Sequence, residues 1–351
     1  MAESRDPGRE ARSRGSAILA KALPYEHRHW HPVLLSRDLG ERPRAVMLHG
    51  RELVLFRTAS GLGALGNTCP HRRARLSDGA VAGATIVCPY HGYCFSRDGV
   101  GTSPGTPRMQ LNAEPYAIEE AWGALWVRSA AADQGLPAPP LPALDRPGYR
   151  HIGTLSHDID CPLEPLVDNF SEVEHTPTTH ALFGYRQDSL ASIEVSVELA
   201  PDAVRVINVG PQKPIPRLVG RAFGLSPGDT FIDDWTVRFA PVHIIYDQWW
   251  RDPTTHEPHG DRLHLGVFFT PIDRDETRMF TIVATSRPVG HFDVAMRAFV
   301  RSLVALEVRL DRRRVERLAD PSPDLRGTRL GRFDAPLREL RKRIDQIYRG
   351  L

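Results

Sequence analysis

Cysteine is scarce in this chain, with four residues in 351, too few for a disulfide scaffold. Long apolar runs are missing too: no stretch approaches the roughly 20 residues that a membrane span needs. Neither sign of charge is in excess. Forty-five basic residues against 43 acidic ones leave a net charge of +2, which gives no electrostatic reason to bind nucleic acid or an anionic membrane. Gly61-x-Gly63-x-x-Gly66 spells the dinucleotide motif, but it runs through the β-prone Leu62–Leu65 and opens no helix, so the dinucleotide-binding context is absent. Residues 1–24 carry charges throughout and no apolar segment; they read as a disordered leader and not as a secretory signal. No internal repeat or low-complexity segment appears. What remains is a soluble chain with enough length for two cored domains.

The densest chemistry lies between Asn67 and Phe95. Two Cys–His pairs stand there, Cys69-x-His71 and Cys88-x-x-His91, separated by sixteen residues and each beside a proline. Two sulfurs and two nitrogens suit a tetrahedral zinc or a [2Fe–2S] centre in which histidines replace two cysteines on one iron. Zinc fingers usually pair Cys with Cys and His with His, whereas each loop here supplies one of each. That mixed order lets a single loop reach both irons. It favours the cluster, with structural zinc as the alternative. Cys94 and Cys161 are left over and read as buried small hydrophobes, not as a bridge.

Around this motif the sequence alternates short β-prone runs with Gly and Arg-Pro turns: Ala45–Leu48, Leu53–Arg57, Leu62–Leu65, Thr85–Val87 and Trp122–Val127. They imply a small all-β domain over 25–133. Residues 134–150 are proline-rich and aperiodic, which marks a stiff linker. From 151 to 351 the pattern changes. A helical region over Glu164–His180 precedes six strand-like runs: Ile193–Leu199, Val204–Val209, Thr230–Phe239, Val242–Trp250, His264–Phe269 and Met279–Ala284. Consecutive strands without intervening helices indicate an antiparallel sheet. A long helix over Asp293–Leu318 closes it, giving an α+β class, and Asp334–Tyr348 is amphipathic, suited to packing on the domain. Between two of the strands, Gly210–Gly228 is aperiodic and loop-like.

The helical region holds the second chemical motif. His175 and His180 lie five apart in a run with three carboxylates, Asp168, Glu172 and Glu174. On an ideal helix such residues point about 140° apart, so they meet at one metal only if the helix is distorted, and Pro177 supplies a distortion. On the closing helix, Val304, Val308, Asp311, Val315 and Leu318 share one face. An ionised Asp311 within that apolar stripe is costly without a cation. Glu307, at the stripe's edge, is the second choice, with a solvated, Arg-paired charge as its ordinary reading.

Cys-Pro-His-Arg and Cys-Pro-Tyr-His-Gly-Tyr-x-Phe resemble the cluster loops of Rieske non-haem iron oxygenases, and the similarity runs from about Trp30 to the C-terminus. Within that family the chain is similar to the single-subunit vanillate, dicamba and phthalate-type group. Arg73 stands where the family often has glycine, and Tyr93 where it often has tryptophan. The resemblance implies a helix-grip (START-like) catalytic domain, a Rieske [2Fe–2S] cluster on Cys69, His71, Cys88 and His91, and a mononuclear Fe(II) on His175, His180 and Asp311. The family's Asp-x-x-x-aliphatic-Glu pattern selects the same aspartate, in Asp311-Arg-Arg-Arg-Val315-Glu316, with Leu318 where a glutamine is usual. It further implies a head-to-tail homotrimer in which Glu172 (commonly Asp in the family) bridges a cluster histidine, His91, and an iron histidine. Asn169 takes a supporting position near the iron.

Electrons would then come from a separate NAD(P)H-dependent flavin reductase, with or without a ferredoxin. Arg72, Arg73 and Arg75 beside the cluster loop are either a steering patch for an acidic ferredoxin or ordinary surface charges. The expected function is a cytoplasmic terminal oxygenase using O2 to monooxygenate a small organic, cyclic or aromatic substrate by hydroxylation or demethylation. Cis-dihydroxylation is the alternative within that class; a pure Rieske electron carrier and a zinc-stabilised binding protein lie outside it. The sheet, Gly210–Gly228 and the closing helix should wall the pocket, with Phe170, Phe183, Trp249, Phe268 and Phe280 as its aromatic candidates.

Overall fold

Runs in which alternate residues are apolar become strands, because successive side chains leave the backbone on opposite faces. A computed structural model describes residues 28–130, 148–239, 241–286 and 293–349; the leader and most of the linker fall outside these. The chain divides into two units, one taking residues 28–130 with Thr270–Thr277, the other residues 148–269 and most of 278–347.

The first unit is all-β. Strands β1 (His31–Leu35), β2 (Arg44–Leu48), β3 (Arg51–Thr58), β4 (Gly61–Gly66), β9 (Pro115–Ala121) and β10 (Ala124–Ser129) form a six-stranded sheet in the order β1-β10-β9-β4-β3-β2. Its pairs are antiparallel. A smaller sheet contains β5 (Ala80–Ala82), β6 (Thr85–Val87), β7 (Cys94–Ser96) and β8 (Gly101–Thr102). Between them Phe56, Leu65, Leu76, Ile86, Phe95 and the two motif cysteines share one buried cluster.

The second unit is built on a seven-stranded sheet in the order β11-β17-β16-β15-β14-β13-β12. Its strands are β11 (Arg150–Ile159), β12 (Glu194–Ala200), β13 (Ala203–Pro211), β14 (Thr230–Phe239), β15 (Val242–Arg251), β16 (Pro258–Pro271) and β17 (Thr277–Thr285). Strands β12 to β16 form an antiparallel meander. Helices α1 (Leu163–Asn169), α2 (Thr176–Thr179), α3 (Arg217–Phe223), α4 (Asp293–Val315) and α5 (Leu337–Ile344) complete it. The α+β class holds. Strand β11 escapes the sequence pattern because Gly153, His151 and His157 break its apolar alternation, and its place beside β17 is fixed only by the sheet.

Three boundaries differ from expectation. Glu164–His180 is not one helix: α1 stops at Asn169, and α2 is a single turn bounded by His175 and His180. Pro177 is the second residue of that turn, where a missing N–H costs nothing. The closing helix α4 ends at Val315, so Leu318 leaves the stripe and is exposed, whereas Val304, Val308, Asp311 and Val315 are buried. Gly210–Gly228 contains α3 within it. Cys161 is buried as expected, but Cys94 is only half-buried, its thiol donating to the Gly92 carbonyl at 3.4 Å.

The amphipathic C-terminal segment packs as expected, with Leu337, Leu340 and Ile344 buried on α5. From α5 the guanidinium of Arg341 grips both carboxylate oxygens of Asp168 on α1, its Nε at 3.1 and 3.0 Å. Burial still pushes Asp168 up to about 6 against that cation.

His243 on β15 is a buried neutral ring. Its Nδ1–H donates to the Pro241 carbonyl at 2.7 Å, and the ring stacks on Phe268. Burial holds it down to about 4, from an ordinary 6.5. The unfolded chain therefore binds a proton that the folded one refuses, and stability falls as pH drops from 6.5 toward 4, by about 3 kcal/mol over the window. Urea unfolding at a series of pH values checks this: His243→Asn, which keeps a donor near the Nδ1 position, should flatten that part of the profile.

Candidate functional site

In the first unit the two motif loops are pinned at their bases by hydrogen bonds. Asn67 ties the first: its side-chain oxygen accepts from Ser77 N at 2.7 Å and its amide donates to Ser77 Oγ at 2.9 Å. The second closes the β6–β7 hairpin, where Cys88 N donates to Tyr93 O at 2.7 Å. Cys69 and Cys88 are buried at 1% and 2% exposure. Burial raises the Cys69 thiol, and the neighbouring Cys88 adds to the rise. His71 and His91 lie further out, half-buried, with ring centroids 4.7 Å apart. Tyr93 stacks under His71 at 4.4 Å, so the tyrosine serves as a flat support for that imidazole.

The donors thus sort by type, the thiols fully buried and the imidazole rings nearer the surface, with His71 Nδ1 itself buried. Among the described residues, no three of these donors lie within 4.8 Å of one another. A lone tetrahedral ion draws its ligands to about 2.0–2.3 Å from one point, whereas a two-iron cluster spreads them. The arrangement fits the cluster. Arg73 holds φ +60°, a backbone state that suits glycine. Arg75 is paired with Glu52, and Arg72 lies 6.0 Å over the Tyr90 ring.

In the second unit the break after α1 decides the geometry. Tyr246 on β15 donates its hydroxyl to the Phe170 carbonyl, holding the broken segment. The single turn of α2 then consumes the five-residue spacing, and the two imidazoles converge: His175 Nε2 and His180 Nε2 are 3.2 Å apart. Asp311 Oδ1 lies 3.1 Å from His180 Nε2 and 3.4 Å from His175 Nε2. Among the described residues this is the only group of three such donors within 4.8 Å of one another. Burial alone would raise Asp311, which is 3% exposed, but the two imidazoles outweigh it and hold the carboxyl well below the usual carboxylate range. Burial alone would likewise lower His175; Asp311 and Glu172 overcome it and lift the ring to about 10.

The supporting groups each have one task. Glu172 accepts from His175 Nδ1, and its second oxygen accepts from His175 N at 3.2 Å. Glu307 does not join the donor triad. Its oxygens accept from Ala181 N and Leu182 N, at 3.1 and 2.9 Å, and one lies 3.8 Å from His180 Nδ1, so the carboxylate is held indoors and not solvated. Lys213, 9% exposed, donates to the carbonyls of Thr176 and His180, fastening the α2 turn. Asn169 faces the cavity with its Nδ2 buried and unpartnered. Gly184 has φ +116° and passes so close that an added Cβ would sit 2.6 Å from the Thr176 side chain.

Residues 29–113 match the Rieske [2Fe-2S] domain family, and residues 159–349 match the family described as the vanillate O-demethylase oxygenase C-terminal domain. The chain belongs to the Rieske oxygenases. It is 33% identical over 268 residues to a 4beta-methylsterol monooxygenase of Methylococcus capsulatus, covering 72% of this chain and 67% of that protein. With the oxygenase component of dicamba O-demethylase from Stenotrophomonas maltophilia the identity is 32%, over 43% of this chain. That alignment spans 46% of the relative's length, and one with a vanillate O-demethylase oxygenase subunit from Pseudomonas spans 64%. The crystal structure of dicamba monooxygenase bound to dicamba shares the fold, with a TM-score of 0.75 at 21% identity over 92% of this chain and 97% of that one. A Rieske [2Fe–2S] cluster and a mononuclear iron are the cofactors of this family, and both donor sets accommodate them.

The cavity of this Rieske oxygenase opens beside the triad. Phe170 and Phe183 line it, as expected, but Trp249, Phe268 and Phe280 do not. Parity explains the difference: Tyr246 and Gln248 on β15, Leu265 and Val267 on β16, and Thr281 on β17 face the cavity, so their immediate neighbours face away. Nor do Gly210–Gly228 contribute; the wall comes from the sheet, α4 and the α1–α2 segment. Sequence reading missed Asp233, Gln248 and Lys213. Asp233 had a signal, since Phe231, Asp233, Trp235 and Val237 alternate on β14 and place a carboxylate in an apolar row, as happens with Asp311.

Two outcomes follow. Metal must displace the Nε2 proton that Asp311 favours on His175, while Glu172 keeps the one on Nδ1, so Fe(II) affinity of the metal-free protein should rise by about tenfold per pH unit between roughly pH 6 and 8; anaerobic calorimetry reads this slope. Gly184→Ala should push Thr176 and the α2 turn aside, lowering the mononuclear iron content while leaving the cluster's visible absorption intact.

Proposed function

We propose that this chain is the terminal oxygenase component of a multi-protein system, acting as a monooxygenase that hydroxylates or oxidatively demethylates a small ring-containing substrate. The observation that carries the reading is the convergence of His175, His180 and Asp311 beside an apolar cavity. Two imidazoles and one carboxylate on one side of a metal leave other positions open, the pattern of oxygen-using non-haem iron sites. When bound, the iron supplies the binding and reduction of O2, and the [2Fe–2S] centre supplies electrons for it. Cys69 and Cys88 would hold the inner iron of the cluster, with His71 and His91 on the outer one.

The protein's own groups set the conditions. Glu172 keeps a proton on His175 Nδ1, so Nε2 presents its lone pair to the metal. Asp311 offers a carboxylate that stays ionised. Phe170, Phe183, Leu265 and Val267 keep water from the cavity, and Asn169 offers a donor there. The relatives named for demethylation and monooxygenation support the type of reaction over cis-dihydroxylation.

The electron donor in this reading is a separate reductase or ferredoxin, for which exposed Arg72 and Arg73 are a docking surface. The assembly is a head-to-tail homotrimer in which Glu172 meets His91 of the partner subunit; the bond from Glu172 to its own His175 supports the iron-side half of that bridge. No helix among the described residues is long and apolar enough to cross a membrane. Four free cysteines suit a reducing compartment, and we assign the cytoplasm.

Iron, zinc and acid-labile sulfide in anaerobically purified protein test the reading. About three irons per two sulfides are expected; Asp311→Ala should fall to about two, with loss of oxygen uptake, while Cys88→Ala should lose the sulfide. Zinc without sulfide would sink the oxygenase assignment.

A further inference from the structure

The substrate's chemistry is written on the cavity wall. Strands β14 and β15 place Asp233 directly opposite Gln248, and Gln248 Nε2 donates to Asp233 Oδ1 at 2.9 Å. Both line the cavity, and Asp233 is 5% exposed. On β17, Thr281 lines the same space at 1% exposure, its Oγ1 without a partner. Around them the wall is apolar, with Phe231, Leu263, Leu265, Val267 and Val304. Among the described residues lining the cavity there is no lysine and no arginine. Lys213 is spent on the Thr176 and His180 carbonyls.

Charge counting then discriminates between substrates. The two positive charges of a ferrous ion are met by Asp311 and by Glu172 behind His175, and Glu307 and Asp233 remain as further acidic groups. A ring carboxylate entering this space would be a buried anion with no cationic side chain beside it, which costs several kcal/mol. A hydroxyl or N–H, by contrast, finds the Asp233 carboxylate and the Gln248 carbonyl as acceptors. A site built from buried hydrogen-bonding groups discriminates strongly against ligands that leave them unpaired.

We propose that this cavity takes an uncharged, mostly apolar ring compound bearing a hydroxyl or N–H that donates to the Asp233–Gln248 pair, and that it rejects ring carboxylates. The inference rests on the oxygenase reading and deepens it by naming the substrate class. Asp233 and Gln248 are thereby specificity-determining residues, with Thr281 as an additional polar contact.

Matched alcohol and carboxylate probes of increasing size test it: benzyl alcohol and benzoate, 2-naphthalenemethanol and 2-naphthoate, and a tetracyclic steroid alcohol with its corresponding acid. Binding to the full-length holoprotein is measured by calorimetry without reductant, so turnover does not enter, and iron and sulfide are assayed on the same sample. In at least one pair the alcohol should bind about tenfold or more tightly than the acid. Gln248→Leu should cost that alcohol about tenfold, and Gln248→Arg should turn the preference toward the acid. Acids binding as well as alcohols in every pair, or no alcohol binding at all, would overturn the inference. If iron and sulfide are complete in that sample, the oxygenase reading survives it; if they are missing, that reading fails first.

Discussion

The second unit depends on one buried charge. Asp311 sits on α4 between Val304, Val308 and Val315, in a stripe that packs as core. A carboxylate there is tolerable only because His175 and His180 are delivered against it. Much of the neighbouring structure serves that delivery. Arg341 on α5 holds Asp168 and so anchors α1, Tyr246 holds the break at Phe170, and Lys213 fastens the turn between the histidines. Each is a polar group brought indoors to fix a segment whose own helical propensity is too short to fix itself.

The same logic applies in the first unit on a smaller scale. Two tight loops present donors of different kinds, and the buried cluster of Phe56, Leu65, Ile86 and Phe95 is continuous with Cys69 and Cys88. Sulfur is the ligand atom that tolerates an apolar neighbourhood, while imidazole needs water or a partner on its second nitrogen. The loops therefore orient themselves, cysteines inward and histidines outward. Arg73 at positive φ shows that the first loop keeps its tight turn even without the glycine that would relax it.

Alternation of side chains along the strands of the second unit separates a structural face from a chemical one. Phe268 stacks on His243 and Trp249 receives Arg262, both away from the cavity. One residue along each strand, Val267 and Gln248 line it. A shift of one residue in pairing would exchange these roles, so the polar character of the wall is a consequence of register.

The sequence by itself determined the candidate donor types, their spacing, the contrast between an all-β pattern and a sheet-plus-helix pattern, and most of the strands. Those features are local: a Cys–His loop or an alternating run is complete within a few residues. An aspartate inside an apolar helical stripe was legible for the same reason. Where α1 broke, which aromatics faced the cavity, and that Glu307 served the backbone of Ala181 and Leu182 were decided by tertiary structure. So was the meeting of Asp233 with Gln248, fifteen residues apart and joined only by strand pairing. Each of these turns on contacts between separate segments, and no local periodicity encodes which neighbour a face will meet.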